Sequence, residues 1–342
     1  VSSLSMNFQQ LRSVRETVRR GFNLTEVANA LHTSQPGVSR QIRELEDELG
    51  IRLFYRSGKR LTGLTPPGEA VLPIVEGLLL GADNLRRAGE DFHSATRGKL
   101  SIATTHSQAR YALPAVVRDF RRLYPNVTLN LHQGTPTQVA EMLQTGTADI
   151  GIATEGLADH EGLVALPSYR WTHSVVLPPG HELLDGPLTL EGLARFPIIT
   201  YHVGYTGRTH IDAAFSAAGL APEVVLTAMD ADVIKTYVEL GMGVGIVASI
   251  AFDAERDRNL AGIDAGHLFE VNLTRVAVRR GAWLRGYVYA FIEAFAPPMT
   301  KSVVQAQLGL QDDATEATES PRRAVAAPAV EEARRAIEHA LA

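Results

Sequence analysis

Four short stretches place hydroxyl and amide side chains where an apolar, strand-like run hands over to an amphipathic one. Thr104-Thr105-His106-Ser107-Gln108 precedes a helical pattern beginning near Ala109. Thr135-Pro136-Thr137-Gln138 and Gly204-Tyr205-Thr206-Gly207-Arg208-Thr209 have the same form, and Thr154 closes a further apolar run. A helix start presents free N–H groups and a positive dipole end, which suits a small anion. Hydroxyls and amides add donors without a counter-charge. Any one of these residues alone reads as a helix cap. Their joint placement at strand ends points to a cleft for an oxyanion or a small polar acid. His106 beside them serves either as a charge sensor or as plain polar lining.

A second constellation lies near the start of the chain. Ser34 can cap a helix, with Pro36 in its first turn, where a missing N–H is harmless. The polar residues at that helix start are Thr33, Ser34, Gln35, Ser39, Arg40 and Arg43. Gln pairs bidentately with adenine and Arg with guanine in a major groove. Arg56, Lys59 and Arg60 follow in a basic turn and suit phosphates or a minor groove. A solvated helix face with ordinary surface charge is the competing reading; the capped turn, the basic turn and the local charge weigh against it.

The elements that must position these groups are legible. Phe8, Leu11, Val14 and Val18 share one helix face, and Gly21 stops that helix. Thr25–Leu31 forms a short second helix, capped by Asn23 or Thr25. The third runs from Ser34 through Val38, Ile42 and Leu45 to Leu49, ended by Gly50. Ile51–Phe54 and Leu61–Leu64 read as two strands around the basic turn, which completes a winged helix-turn-helix. Residues after Pro66-Pro67 to about Phe92 read as a linker helix, weakened by Pro73, Gly77, Gly81 and Gly89. From Lys99 onward strands and helices alternate in two sets, which implies mainly parallel sheets in two α/β lobes.

Composition sets limits. The 342 residues carry 33 Lys+Arg against 38 Asp+Glu, a net charge of −5, and no cysteine. Disulfides, thiolate metal sites and cysteine nucleophiles are excluded. From Met6 to Thr62 ten basic residues face six acidic ones, so a +4 head sits on a body of about −9. That is the footprint of a local nucleic-acid module. Met6 reads as a natural start preceded by an extension, Val1–Ser5. No run approaches the ~20 apolar residues of a membrane span, and no signal-peptide pattern opens the chain, so a cytoplasmic protein is expected.

Other patterns point away from catalysis. Gly241-Met242-Gly243-Val244-Gly245 lacks the order of a dinucleotide fingerprint. No HExxH pair, G-x-S-x-G elbow or paired-carboxylate site occurs. Asp230 and Asp232 bracket a helix start as caps, and Lys235 is either a cleft cation or a partner to those acids. Trp171 falls between the two α/β sets, as a cleft wall, a core residue or a hinge.

Two sets of motifs carry a family resemblance. Thr33-Ser34-Gln35-Pro36-Gly37-Val38-Ser39, Leu45-Glu46-Asp47-Glu48-Leu49-Gly50, Arg56-Ser57-Gly58-Lys59 and Leu64-Thr65-Pro66 resemble the head, wing and linker entrance of LysR-type transcriptional regulators. IATTHSQARYAL (102–113), HQGTPTQVAE (132–141), ADIGIATE (148–155), Tyr205–Arg208 and DADVIKTYVELGMGVGIVAS (230–249) are similar to CysB-like regulators of sulfur assimilation and cysteine biosynthesis. The likeness covers about residues 6–300. It implies an α/β fold: a winged helix-turn-helix at 6–65, a dimerising linker helix at 66–97 and a two-lobed, periplasmic-binding-protein-like effector domain at 98–300. Lobe I would take about 98–167 and 270–300, lobe II about 168–269, leaving 301–342 as a flexible tail.

The resemblance also implies double-stranded promoter DNA and RNA polymerase as partners, assembly as a homodimer or homotetramer, and no cofactor or enzymatic activity. The implied DNA-binding set is Thr33, Ser34, Gln35, Pro36, Ser39, Arg40, Arg43, Arg56, Lys59 and Arg60. Acetylserine, sulfate or thiosulfate would be the effector, with anion contacts falling on Thr105, Ser107, Gln108, Thr154 and Thr206; the family commonly has Thr where this chain has Ser107. Pro73 departs from what a long dimerising helix wants and predicts a kink or late start. A sulfonate-utilisation regulator like Cbl is the alternative within the family, and a solute-binding protein the alternative outside it.

Overall fold

The computed structural model describes residues 5–58, 60–205 and 207–309. The chain divides into two compact units between Glu90 and Asp91.

In the first unit, α1 (Phe8–Arg19), α2 (Leu24–Ala30) and α3 (Gln35–Leu49) pack around Leu11, Val14, Val27, Val38, Ile42 and Leu45. Each start is capped from the sequence: Asn7 opens α1, Asn23 opens α2, and the Ser34 hydroxyl accepts the Gly37 N–H (3.2 Å) to open α3. Gly50 ends α3 in the left-handed region, φ 68°.

The wing strands are β1 (Phe54–Ser57) and β2 (Arg60–Leu64), paired antiparallel. The first strand therefore begins at Phe54, later than the apolar run Ile51–Phe54 predicts. At that point the buried Glu46 carboxylate accepts the N–H groups of Leu53 (2.9 Å) and Phe54 (3.3 Å), so these two donors are satisfied from α3.

Helix α4 (Pro66–His93) runs unbroken through Pro73 and starts ahead of it, against the expected late start. Pro73 forfeits one helical hydrogen bond. Burial of Val75 and Leu79, with Val71 and Leu72 beside them, in the same core offsets that loss. A Cβ on Gly68 would sit 2.1 Å from the Leu53 carbonyl oxygen, so only glycine lets the first turn of α4 approach the wing.

The second unit holds two sheets. Its elements in chain order are β3 (Gly98–Thr104), a π-helical turn (Gln108–Ala112) leading into α5 (Leu113–Leu123), β4 (Val127–Gln133), α6 (Pro136–Thr145), β5 (Ile150–Ala153), β6 (Leu163–Trp171), β7 (His173–Leu177), α7 (Leu190–Leu193), β8 (Ile198–Tyr201), α8 (Arg208–Ala217), β9 (Val224–Ala228), α9 (Ala231–Glu239), β10 (Val244–Ala248), β11 (Ala261–Asp264), β12 (Asn272–Arg279), α10 (Gly286–Phe295) and α11 (Lys301–Gln307).

Lobe I has the strand order β4-β3-β5-β12-β6 and lobe II the order β11-β7-β10-β8-β9. In each, four strands run the same way and one, β12 in lobe I and β7 in lobe II, runs antiparallel to both its neighbours. The sheets are thus mixed, because the chain crosses between lobes twice, from β6 to β7 and from β11 to β12. Strand β6 keeps Ser168–Trp171 in the lobe I sheet, so lobe II starts at His173, later than residue 168.

The effector unit also continues past residue 300, which corrects the tail expected at 301–342. Helix α11 is capped by Thr300, and Val304 and Leu308 are buried in the lobe I core beside Phe295. Residues 310–342 of that tail lie outside the described residues. Among the described residues no helix is long and apolar enough to cross a membrane.

Candidate functional site

In the head, Thr33, Ser34, Gln35 and Pro36 are exposed at the start of α3, Arg40 and Arg43 lie exposed further along it, and Ser39 is half-buried. Arg40 Nε donates to Glu44 (2.7 Å) and Arg43 Nη2 to the Ser39 hydroxyl (3.0 Å), each one helical turn away. These contacts hold both guanidinium groups along one exposed face. Arg60 is exposed on the wing, and Lys59 lies outside the described residues.

Arg56 is differently placed. Its Nη2 donates to Glu46 (2.9 Å), and Arg52 Nη1 donates to the same carboxylate (3.1 Å). Burial works to raise the Glu46 carboxyl, but the Leu53 N–H, Arg56 and Arg52 together outweigh it and hold the group below the ordinary carboxylate range. Arg56 is therefore a structural partner as well as a candidate phosphate contact. Sequence reasoning did not single out Glu46, since its acidic neighbours Glu44, Asp47 and Glu48 disguise it as surface.

In the effector unit, β3 delivers Thr105 to the start of a helix that begins at His106. That start leaves the first N–H groups without intrahelical acceptors. Thr105, Ser107 and Gln108 are all buried there. The Ser107 hydroxyl oxygen is fully covered and completes no hydrogen bond among the described residues, although the Tyr201 hydroxyl is nearby. A buried hydroxyl at a helix N-terminus is placed to serve an anion there as a neutral donor.

The helix widens by one residue over Gln108–Ala112. This π-turn sends neighbouring residues in two directions. Gln108 reaches Thr274 on β12 (Nε2 to Oγ1, 3.3 Å), while Arg110 and Tyr111 reach across to Asp232 on α9 (3.1 and 2.7 Å). Thr274 is the hub of the site. Its hydroxyl also accepts from Trp171 Nε1 (3.1 Å) and lies 3.4 Å from the Thr154 hydroxyl. The Gln108 carbonyl accepts from the Tyr169 hydroxyl (2.6 Å), and burial pushes that phenol up to about 12. The structure thus joins Gln108 and Thr154 through a residue that the sequence did not mark, and resolves Trp171 as a buried residue at the end of β6, the strand before the first crossover.

Other expectations resolve as caps. Thr135 and Gln138 close a reciprocal capping box (3.1 and 2.9 Å), so this helix start is self-satisfied. Asp230 accepts the Val233 N–H (2.9 Å). Lys235 donates to Asp257 (2.9 Å) and the Ala251 carbonyl (2.9 Å), as a partner to acids. Thr206 lies outside the described residues.

Two polar ties link the lobes beside this site. On one flank Asp232 of lobe II receives Arg110 and Tyr111 of lobe I, with His106 Nε2 at 3.7 Å. Burial would raise Asp232, but Tyr111, Arg110 and Lys235 outweigh it and hold it low. On the other flank the Glu155 carboxylate of lobe I accepts the N–H of Gly207, the residue that opens α8. A cavity of about 600 Å³ lies between the lobes beside the first tie, lined by Arg110, Tyr111, Tyr169, Asp232, Lys235 and Phe295 among others.

A winged helix-turn-helix with an exposed polar recognition face, on the same chain as a two-lobed α/β unit with a donor-rich cleft, defines a ligand-responsive transcription regulator. Residues 8–69 match the bacterial regulatory helix-turn-helix protein of the lysR family, and residues 93–297 match the LysR substrate binding domain. The chain belongs to the LysR family of transcriptional regulators.

Among its relatives, the HTH-type transcriptional regulator SsuR of Burkholderia cenocepacia is 57% identical over 300 residues, covering 87% of this chain and 97% of that one. CysB of the same organism is 52% identical (89% and 97% covered), and Cbl of Escherichia coli 53% identical (84% and 92%). The crystal structure of the cofactor-binding domain of Cbl superposes with a TM-score of 0.61 at 47% identity, covering 62% of this chain and 94% of that one. The family resemblance seen in the motifs is met. The head sets aside the solute-binding-protein alternative.

Proposed function

We propose that this protein controls genes of sulfur assimilation and cysteine biosynthesis, binding promoter DNA through α3 and the wing and responding to a small anion held between the lobes. The observation that carries the anion reading is the buried run of neutral donors Thr105, Ser107 and Gln108 at a helix start. Sulfate, thiosulfate or acetylserine fits a site whose donors are neutral. Thr105, Ser107, Gln108, Thr154 and Thr206 are the proposed contacts, with no cofactor and no catalytic step. Thr105→Val is expected to weaken sulfate or acetylserine binding about tenfold or more, the worth of a hydrogen bond to a charged group at ~1.5–3 kcal/mol, without unfolding the protein. Isothermal calorimetry checks it; wild-type affinity would reduce these hydroxyls to helix caps.

DNA reading is assigned to Thr33, Ser34, Gln35, Pro36, Ser39, Arg40 and Arg43, with Arg60, Lys59 and Arg56 at the backbone. Gln35→Ala and Arg40→Ala should each cost ~1–3 kcal/mol of operator binding per lost base contact. The check is a gel-shift titration against operator and random DNA, and unchanged discrimination would remove the assignment. Exposed Ile74, Leu78, Leu85 and Phe92 along α4 support dimerisation through the linker helix, in a dimer or tetramer. RNA polymerase is the proposed partner at the promoter, and the cytoplasm the proposed compartment. The identities to SsuR and Cbl, which equal or exceed that to CysB, favour a second reading: a regulator of sulfonate utilisation.

A further inference from the structure

The proposed anion site is built from neutral donors, yet a carboxylate stands at its edge. Glu155 follows Thr154 directly and reaches across the cleft to the Gly207 N–H. That N–H belongs to the residue opening α8, beside the position of Thr206. Gly207 has no room for a side chain: a Cβ there would lie 2.5 Å from Asn272 Oδ1 and 2.8 Å from His173 Nε2. The carboxylate therefore meets bare backbone, with buried Asn272 and His173 behind it.

Among the described residues Glu155 forms no ion pair. The charged and titratable groups around it are few. His210, one turn along α8, acts on it through space but spends its own Nδ1 on the Glu270 carbonyl (3.2 Å). His173 on β7 stacks edge-on against Trp171 and Phe269. Arg208 is committed to Asp212 (2.7 Å) and the Tyr201 carbonyl (2.6 Å). Burial pushes the Glu155 carboxyl above the ordinary carboxylate value, even though the Gly207 N–H and His210 act the other way.

An anion seated on Thr154 and its neighbours would stand close to this largely buried carboxylate, the next residue in the chain, and like charges repel more in a buried setting than in water. The described cations nearby are already paired with acids, Arg110 with Asp232, Lys235 with Asp257 and Arg208 with Asp212. Protonation of the carboxylate relieves that repulsion without moving the backbone. We propose that Glu155 couples effector binding to the uptake of one proton, so that the cleft accepts an anion together with a solvent proton that ends on the Glu155 carboxyl. This rests on the anion reading given above. Glu155 in that role determines specificity: a dianion needs the proton, whereas a ligand that brings its own N–H donor or ammonium toward Glu155 needs it less.

The test is calorimetry of sodium sulfate binding to the full-length protein, in buffers of different ionisation enthalpy, at several values from just above the ordinary carboxylate range (~4.3) up to about pH 8. Wild type should take up a fraction of a proton that grows toward one as pH rises, with affinity falling by up to tenfold per unit in the same range. Glu155→Gln keeps a carbonyl for the Gly207 N–H, so it should fold; it should bind sulfate without proton uptake, with a flat pH profile and tighter than wild type at the alkaline end. His210→Gln should retain the uptake. Zero uptake in wild type, or undiminished uptake in Glu155→Gln, overturns the proposal and moves any proton to a histidine. Sulfate binding absent from wild type and from Glu155→Gln alike would overturn the anion site itself, and the coupling with it.

Discussion

Glu46→Ala is expected to destabilise the DNA-binding head by about 2–4 kcal/mol, because it strands the buried Leu53 and Phe54 N–H groups at ~1–2 kcal/mol each. Removing one partner of a fully buried ion pair would cost more. Here Arg52 and Arg56 keep side-chain exposures of 63% and 31%, so their charges rehydrate and add little. Glu46→Gln keeps an acceptor for Leu53 and should lose less.

The pH dependence has a definite sign. The folded carboxyl titrates below its unfolded value of ~4.3. Its contribution is therefore complete above that value and disappears as pH falls through the lower folded one. Wild type and Glu46→Gln should converge in stability on acidification. Urea unfolding of the head, followed at neutral and acid pH, reads both effects; a wild-type midpoint in Glu46→Ala would mean the carboxylate is idle.

Thr274→Val should be nearly as costly, and its effect should fall on the effector unit. The two side chains have nearly the same shape, so packing is preserved and only the hydroxyl is lost. That hydroxyl accepts from Trp171 and Gln108 in a fully buried position. An indole N–H and an amide N–H left in the core cost ~1–3 kcal/mol each. Release of Gln108 should also weaken sulfate or acetylserine binding by more than about tenfold, the size of one charge-assisted hydrogen bond. Thr274→Ser, which retains the hydroxyl, should restore most of both. Calorimetry with thermal unfolding separates the two, and full effector affinity in Thr274→Val would remove Thr274 from the site.

Both predictions rest on residues that sequence reading passed over, and for the same reason. Glu46 sits in an acidic run that looks like solvent-facing helix, and nothing local says that the wing will fold back over it. Thr274 is one hydroxyl in the strand NLTRVAVR, without a turn, a cap or a glycine to mark it. Glu155 likewise reads as the polar residue after a strand. By contrast, the caps Ser34, Thr135 and Asp230 were legible, because an N-cap bonds to a backbone N–H two or three residues away.

By itself the sequence determined the local and periodic features: three capped helices and a wing in the head, an unevenly basic first segment, two alternating α/β sets, and hydroxyl-rich helix starts fit for an anion. Those follow from hydrogen bonds and side-chain periods within a few residues. Tertiary structure decided what depends on distant chain crossing. It set β12 antiparallel between β5 and β6, so Thr274 meets Gln108 and Thr154; it widened the helix at Gln108–Ala112; it set α11 into the lobe I core; and it carried Glu155 to Gly207. These contacts depend on chain segments meeting in space, and the burial that gives a hydroxyl or carboxylate its worth exists only once the chain has folded around it.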